Sequence, residues 1–183
     1  MPHGAAFAAF EFEDLVRTIL HHGKYGSDRG ALRAIAALAS PRVQAGALPW
    51  ERSALDAPRV TGRAGAPPPG AIVAVPLGPR RRRQRGYNQA DLIAHVLAEI
   101  QKAPILDGLV RVRETTPQSA RDEQGRRSNV AGAFAWKGSP LARASVWLVD
   151  DVLTTGATVE AAGAALLAAG ASRVDVVVVA VVP

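Results

Sequence analysis

The stretch from Ser145 to Val182 limits the fold more than any other part of the chain. It opens with the apolar run SVWLV and breaks at Asp150 and Asp151. It then passes through LTTGAT into the alanine-rich VEAAGAALLAA, and after Gly170 it ends in VDVVVVAVV. A short continuous apolar run bounded by turn residues fits a strand covered on both faces. The alanine-rich segment is a helix former with a glycine stop. The reading is therefore strand 145–149, loop, helix from about Thr158 to Ala169, and strand 174–182. Two such strands joined by one helix must lie parallel, with a right-handed crossover, which sets the fold class as α/β. The last strand is far shorter than the ~20 apolar residues of a membrane-spanning helix, so membrane insertion is not expected.

Upstream, AIVAVP at 71–76 reads as a further buried strand. A helix starts near Asn88, a good cap residue, and carries Leu92, Ile93, Val96, Leu97 and Ile100 on one face before Pro104. Residues 5–12, AAFAAFEF, suit an edge strand or an amphipathic arm better than a core element. Asp14 precedes LVRTILHHGKYG, whose apolar spacing gives a helix stopped at Gly23, and a second helix runs from Arg29 to Ala39, closed by Ser40 and Pro41. Residues 55–70, with repeated Pro and Gly, read as a loop. Residues 111–131 are polar and aperiodic, which makes them a loop or a hairpin outside the core. A chain of 183 residues accommodates one domain. Its parts are an N-terminal arm with helices (1–54), the Pro/Gly loop (55–70) and a core (71–183) carrying a lid loop at 111–134.

The absence of cysteine excludes disulfides, thiolate catalysis and cysteine-bound zinc, and it fits a cytoplasmic location. The first residues lack the basic segment of a secretory signal. Lys and Arg number 22 against 16 Asp and Glu, a net charge of +6, which favours anionic partners such as phosphates or nucleic acid. His21 and His22 are adjacent, diverge around a helix, and make a poor metal pair.

In a parallel α/β sheet ligands bind beyond the carboxyl ends of the strands, where Asp150 to Thr158 must lie. A loop of Thr154, Thr155, Gly156, Ala157 and Thr158 entering a helix can turn backbone N–H groups toward a phosphate. Gly156 allows close approach, and the threonine hydroxyls can donate. Paired carboxylates can accept from a vicinal diol or help place Mg2+. Phosphate at one end and diol at the other describe a ribose 5-phosphate. The competing reading makes Asp151 a polar strand end and a threonine an ordinary cap. A Walker site is excluded, since no G-x-x-x-x-G-K-[ST] occurs.

The string VWLVDDVLTTGAT resembles the phosphoribosyl pyrophosphate (PRPP) motif of type I phosphoribosyltransferases. Together with LHHGKYG at 20–26, VPLGPRRRRQRGYNQADLIA at 75–94 and RETTPQSARDEQGRRSNVAGAF at 113–134, it resembles the competence-associated ComF family. The resemblance implies a central, mainly parallel sheet flanked by helices, with a small hood or lid region. It implies that Asp150 and Asp151 bind the ribose hydroxyls, with Mg2+ carried by PRPP. Val152, Leu153, Thr154, Thr155, Gly156, Ala157 and Thr158 would complete the ribose and 5-phosphate site, and Pro76, Leu77, Gly78, Pro79 and Arg80 would form the pyrophosphate loop. Lys24 and Tyr25 match the pattern without a chemical role. Many relatives begin with a cysteine-rich zinc segment, and this chain has no cysteine to build one, so no zinc is expected.

Arg80, Arg81, Arg82, Arg83 and Arg85 repel one another unless an anion is near. They could hold pyrophosphate, contact a nucleic-acid backbone, or form a solvated charge run. Tyr87 could stack on a base or simply start the helix. The polar loop offers Arg113, Thr116, Gln118, Arg121, Arg126, Arg127 and Asn129, either as a lid that keeps water from the transition state or as a nucleic-acid surface. Two functional readings result. One is Mg-dependent phosphoribosyl transfer with pyrophosphate release. The other is a non-catalytic module handling single-stranded DNA in competence, with competence proteins as partners and PRPP as sensor ligand or inherited feature. No pattern names the acceptor or an oligomeric state.

Overall fold

The computed structural model describes residues 4–25, 28–45, 49–52, 58–60, 65–113 and 132–182. In chain order the elements are β1 (Ala6–Glu11), α1 (Asp14–Tyr25), α2 (Arg29–Ala45), β2 (Pro49–Arg52), β3 (Pro58–Val60), β4 (Ala71–Ala74), α3 (Pro79–Arg85), α4 (Gln89–Gln101), β5 (Leu109–Arg111), β6 (Phe134–Trp136), β7 (Ser145–Leu153), α5 (Ala157–Ala168) and β8 (Arg173–Val181). The main sheet runs β3-β2-β1-β8-β7-β4, and β5 pairs with β6 in a separate antiparallel ribbon. Strands β1, β8, β7 and β4 are mutually parallel, while β2 and β3 extend the β1 side antiparallel.

The parallel strands are apolar on both faces because helices cover both. Val146, Leu148, Val174 and Val176 join Ala162 and Leu166 of α5 in one core layer. Their neighbours in sequence, Trp147, Val149, Val177 and Val179, face the opposite way into a second layer with Leu20, Leu32, Ile93 and Leu97 of α1, α2 and α4. This period of two within a continuous apolar run is the signature of a sandwiched strand. Among the described residues no helix is long and apolar enough to cross a membrane.

The α/β class and the 71–76 strand are as expected, and several local expectations are corrected. Residues 6–11 are not an edge or an arm: β1 lies between β2 and β8, with Ala6, Phe7, Ala8 and Ala9 buried. Small alanines lower the apparent hydrophobicity of a strand while letting helices pack closely against it. Gly23 does not stop α1, which continues to Tyr25. It lies buried, and a Cβ there would meet Leu32 of α2 at 3.5 Å, so its role is helix contact. Helix α2 runs through Pro41 to Ala45. The added turn is held by tertiary bonds: Arg42 Nε donates to Ala9 O at 2.9 Å, and Ala66 N donates to Val43 O at 3.0 Å. The 55–70 segment contains β3, whose Pro58 tolerates its place because β3 lies at the sheet margin.

The basic stretch after β4 is helical rather than a loop. Pro79 supplies a favoured first-turn residue, and Gly86 closes α3 at φ 75°, with its N–H donating to Arg82 O. Finally, β7 extends through Leu153, four residues beyond the expected end, because Val152 and Leu153 stay in register with Ala180 and Val181 of β8.

Candidate functional site

The longer β7 brings Asp150 and Asp151 into the last residues of the strand, both half-buried. Asp150 Oδ1 accepts the N–H of Asp151 at 2.8 Å, and Asp151 Oδ1 accepts that of Val152 at 2.9 Å. These local bonds fix how the carboxylates leave the backbone. Leu153 is 1% exposed and belongs to the core, so its side chain offers nothing to a ligand. Val152 is half-buried against the opposite layer. Thr154 is exposed, Thr155 half-buried, and Gly156 sits at φ 80° immediately before α5. A side chain is strained at such a φ, which explains the glycine.

The N-cap of α5 is Gly156, which has no side chain with which to bond the first helical N–H groups. Those donors, with the helix dipole behind them, face the space beyond the strand ends. Ala157 is buried beneath this turn and Thr158 is half-buried.

Strand β4 is the neighbour of β7, with Ala74 opposite Val149, and Val75 N donates to Val149 O at 2.9 Å. Pro76, Leu77 and Gly78 therefore emerge beside the strand carrying the acids, and Pro79 and Arg80 of the expected loop instead open α3. Gly78 is buried, and Arg111 of β5 lies beneath it, its Cδ 3.6 Å from where a Cβ would stand. Arg80, Arg81, Arg82 and Arg83 all project from α3 as exposed side chains, whereas Arg85 turns inward and donates to Gln89 Oε1 at 3.1 Å.

Tyr87 is tied into the helical layer. Its hydroxyl donates to Gly23 O, and Arg29 stacks on its ring at 4.7 Å. Gln89 Nε2 donates to the same carbonyl at 3.2 Å, so Tyr87 and Gln89 anchor α1 to the start of α4. Arg113 is exposed at the end of the β5 ribbon. The other lid candidates, Thr116, Gln118, Arg121, Arg126, Arg127 and Asn129, lie outside the described residues, as do the side chains of Lys24 and Tyr25. Among the described residues no group of three or more His, Cys, Asp or Glu could hold a metal ion. The carboxylate oxygens of Asp150 and Asp151 are hard donors of the kind Mg2+ takes alongside phosphate oxygens, with Oδ2 of Asp151 itself shielded from solvent.

Sequence reasoning missed a second polar cluster. Asn88 stands at the N-cap of α4 as expected, but its side chain does not cap; it is 5% exposed, and Nδ2 donates to Val75 O and to Asp91 Oδ1, both at 2.9 Å. Burial raises the Asp91 pKa above the ordinary 3.8, opposed in part by the Asn88 hydrogen bond and by Arg82. The signal was N-Q-A-D, an Asn and an Asp three residues apart on one helix face. A raised carboxyl pKa favours the protonated folded state, so this contribution to stability is full below 3.8 and is lost as pH rises through the shifted value. Asp91→Asn is expected to flatten that part of the profile and to raise the urea midpoint above the carboxylate range relative to its value below it. Parallel profiles for the two proteins would contradict this.

These features define a class: an α/β chain with a type I phosphoribosyltransferase-like fold, whose acidic strand end and glycine-led helix start share one rim of a parallel sheet. No family model matches the chain. It is 39% identical over 113 residues to the DNA utilization protein YhgH of Salmonella typhi, covering 61% of this chain and 49% of that protein. It is also 39% identical over 113 residues to competence protein F of Haemophilus influenzae, covering 59% and 48%. With competence protein ComFC of Bacillus subtilis it shares 31% over 99 residues, covering 54% and 39%. The chain thus spans about half the length, or less, of these relatives. These similarities support the resemblance to the ComF family carried by the motifs.

Proposed function

We propose that this chain binds Mg–PRPP at the end of β7 and transfers its phosphoribosyl group to an acceptor with release of pyrophosphate, in the service of natural competence. One observation carries the reading: half-buried paired carboxylates lie one short turn before a glycine-led helix start, beside the strand that leads to a basic helix. Asp150 and Asp151 accept the ribose 2- and 3-hydroxyls, and the turn from Thr154 to Thr158 takes the 5-phosphate through backbone N–H groups. Residues Pro76 to Arg80 hold the pyrophosphate. The acceptor's nucleophile forms a bond to ribose C1 as the C1–O bond to pyrophosphate breaks; the electron pair leaves with pyrophosphate, which also takes up the nucleophile's proton. Mg2+ supplies charge neutralisation for that leaving group. Positioning and electrostatics supply the rate, with no side chain assigned as general base. Calorimetry with Mg–PRPP, comparing the natural chain with a variant lacking both acids, tests the site.

A second reading has its own support. Arg80, Arg81, Arg82 and Arg83 lie exposed along α3. Four adjacent guanidinium groups suit the phosphate backbone of single-stranded DNA, and the names of the relatives, competence protein and DNA utilization protein, accord with such a partner in the cytoplasm. On this reading PRPP binding serves as a sensor or persists as an inherited feature, and competence proteins are the further partners. Single-strand affinity measured over a salt series is expected to fall steeply. Replacing Arg81, Arg82 and Arg83 by alanine should lower the slope of log affinity against log salt by about 2, at about 0.7 per lost phosphate contact. A slope unchanged by the triple substitution would remove α3 from the interface.

A further inference from the structure

On the outer side of β4, away from β7, a cavity of about 380 Å³ lies between α4 and residues 105–109. Its volume falls within the range of small-ligand pockets, roughly 300–1,000 Å³. Pro76, Ile105, Leu106 and Leu109 give it apolar walls, and Asn88, Asp91 and Asp107 give it a polar side with Arg82 and His95 at its margin.

The polar side accepts hydrogen bonds more than it donates them. Both neighbours of the Asn88 amide nitrogen, Val75 O and Asp91 Oδ1, are acceptors, which fixes that atom as nitrogen and leaves Oδ1 as the acceptor in the cavity wall. Asn88 is 5% exposed, so a ligand donor that meets Oδ1 displaces little water. Asp91 adds a carboxylate beside it. His95 Nδ1 lies 2.7 Å from Asp91 O; the carbonyl can only accept, so Nδ1 carries the proton and Nε2 is a further acceptor when the ring is neutral.

We infer that this cavity is a base-binding site that takes an unpaired guanine through its donor edge, the ring N–H and exocyclic amino group meeting Asn88 Oδ1 and the Asp91 carboxylate. The apolar walls accommodate a flat ring. Asp91 and Asp107 repel a phosphate, so the sugar-phosphate of such a ligand must lie outside, where Arg82 and its neighbours on α3 are placed. The same chemistry is offered by guanine in a single strand and by free guanosine. Thymine presents one donor on its corresponding edge and adenine one amino group, and a site built for adjacent donors rejects analogues lacking them.

The test uses the full chain, a fluorescent thymidine oligomer, the same oligomer with one central guanine, and free guanosine. The guanine probe is expected to bind about tenfold tighter than the all-thymidine probe, as one or two hydrogen bonds to a buried charged group allow. Asp91→Asn, which replaces half of the carboxylate acceptor with a donor, and Leu106→Trp, which fills the cavity, should each erase that preference while leaving all-thymidine affinity unchanged. That remaining affinity reports the arginines of α3, so its loss in the arginine variants would not bear on the base site. Discrimination confined to free guanosine against thymidine, lost in both variants, would uphold the chemistry and identify the source as a free base or nucleoside. Equal affinity for guanine and thymine in both formats would overturn the proposal, as would a preference indifferent to both substitutions.

Discussion

Replacing Asp150 and Asp151 together by alanine is expected to abolish measurable Mg–PRPP binding, a loss of at least about 100-fold. The magnitude follows from the bonds removed: each hydrogen bond to a charged group contributes about 1.5–3 kcal/mol, and the pair would accept from two ribose hydroxyls. Two such losses correspond to about 3–6 kcal/mol, or two to four powers of ten. Both side chains are half-buried at a strand end, outside the two core layers. The double variant should therefore keep its thermal midpoint to within a few degrees, which separates lost binding from lost folding. Replacing Thr154 and Thr155 by alanine should cost less, about tenfold, because the phosphate is held mainly by the backbone N–H groups that survive the change. Undiminished calorimetric affinity in the acid-pair variant would remove the site assignment, and no binding by the natural chain at millimolar PRPP would remove the ligand.

The strands and helix that carry this site could be read in the sequence because each is continuous in character. A short apolar run bounded by turn residues fits a doubly covered strand, and a long alanine-rich segment closed by glycine fits a helix, so β7, α5 and β8 followed directly. Their limits did not follow as well. Nothing local tells that Asp150 and Val152, on either side of Asp151, still pair with β8; that depends on the length of a partner strand separated from them by a helix. Strand β1 was misread for the opposite reason. Its alanines carry little hydrophobicity alone and gain their place only from the β2 and β8 strands beside them. Helix α3 was hidden by its arginines, since like charges argue against a helix when counted alone, whereas Pro79 and Gly86 frame one. Asn88 was correctly placed as a helix boundary, yet its bond to Val75 O joins residues 13 apart and has no signature in the sequence.

Asp175→Ala is expected to be the most destabilising single change among the polar residues of the sheet, at about 3 kcal/mol. An aspartate in the middle of VDVVVV breaks an otherwise apolar strand, and its carboxylate is 1% exposed. It is kept there by three bonds: Oδ1 accepts the N–H of Ala5 at 3.0 Å, and the Arg173 guanidinium donates to both oxygens at 2.7 and 2.8 Å. The same hydrogen bonding raises the Arg173 pKa further above its ordinary value. Because Val176 N in turn donates to Ala5 O at 2.8 Å, the carboxylate and the ladder together set the entry of β1 onto β8. The approach is tight: a Cβ on Gly4 would lie 1.8 Å from Val174 O. Removing the carboxylate orphans the Ala5 N–H in a place that water reaches poorly and loosens the strand at the centre of the sheet. In urea unfolding the Asp175→Ala midpoint should fall by about 1–3 M, taking a slope of about 1–3 kcal/mol per molar. Asp175→Asn should recover part of the loss by restoring an acceptor for Ala5 without the charge for Arg173. An unshifted midpoint in Asp175→Ala, or an equal loss in both variants, would show that the register of β1 is set elsewhere.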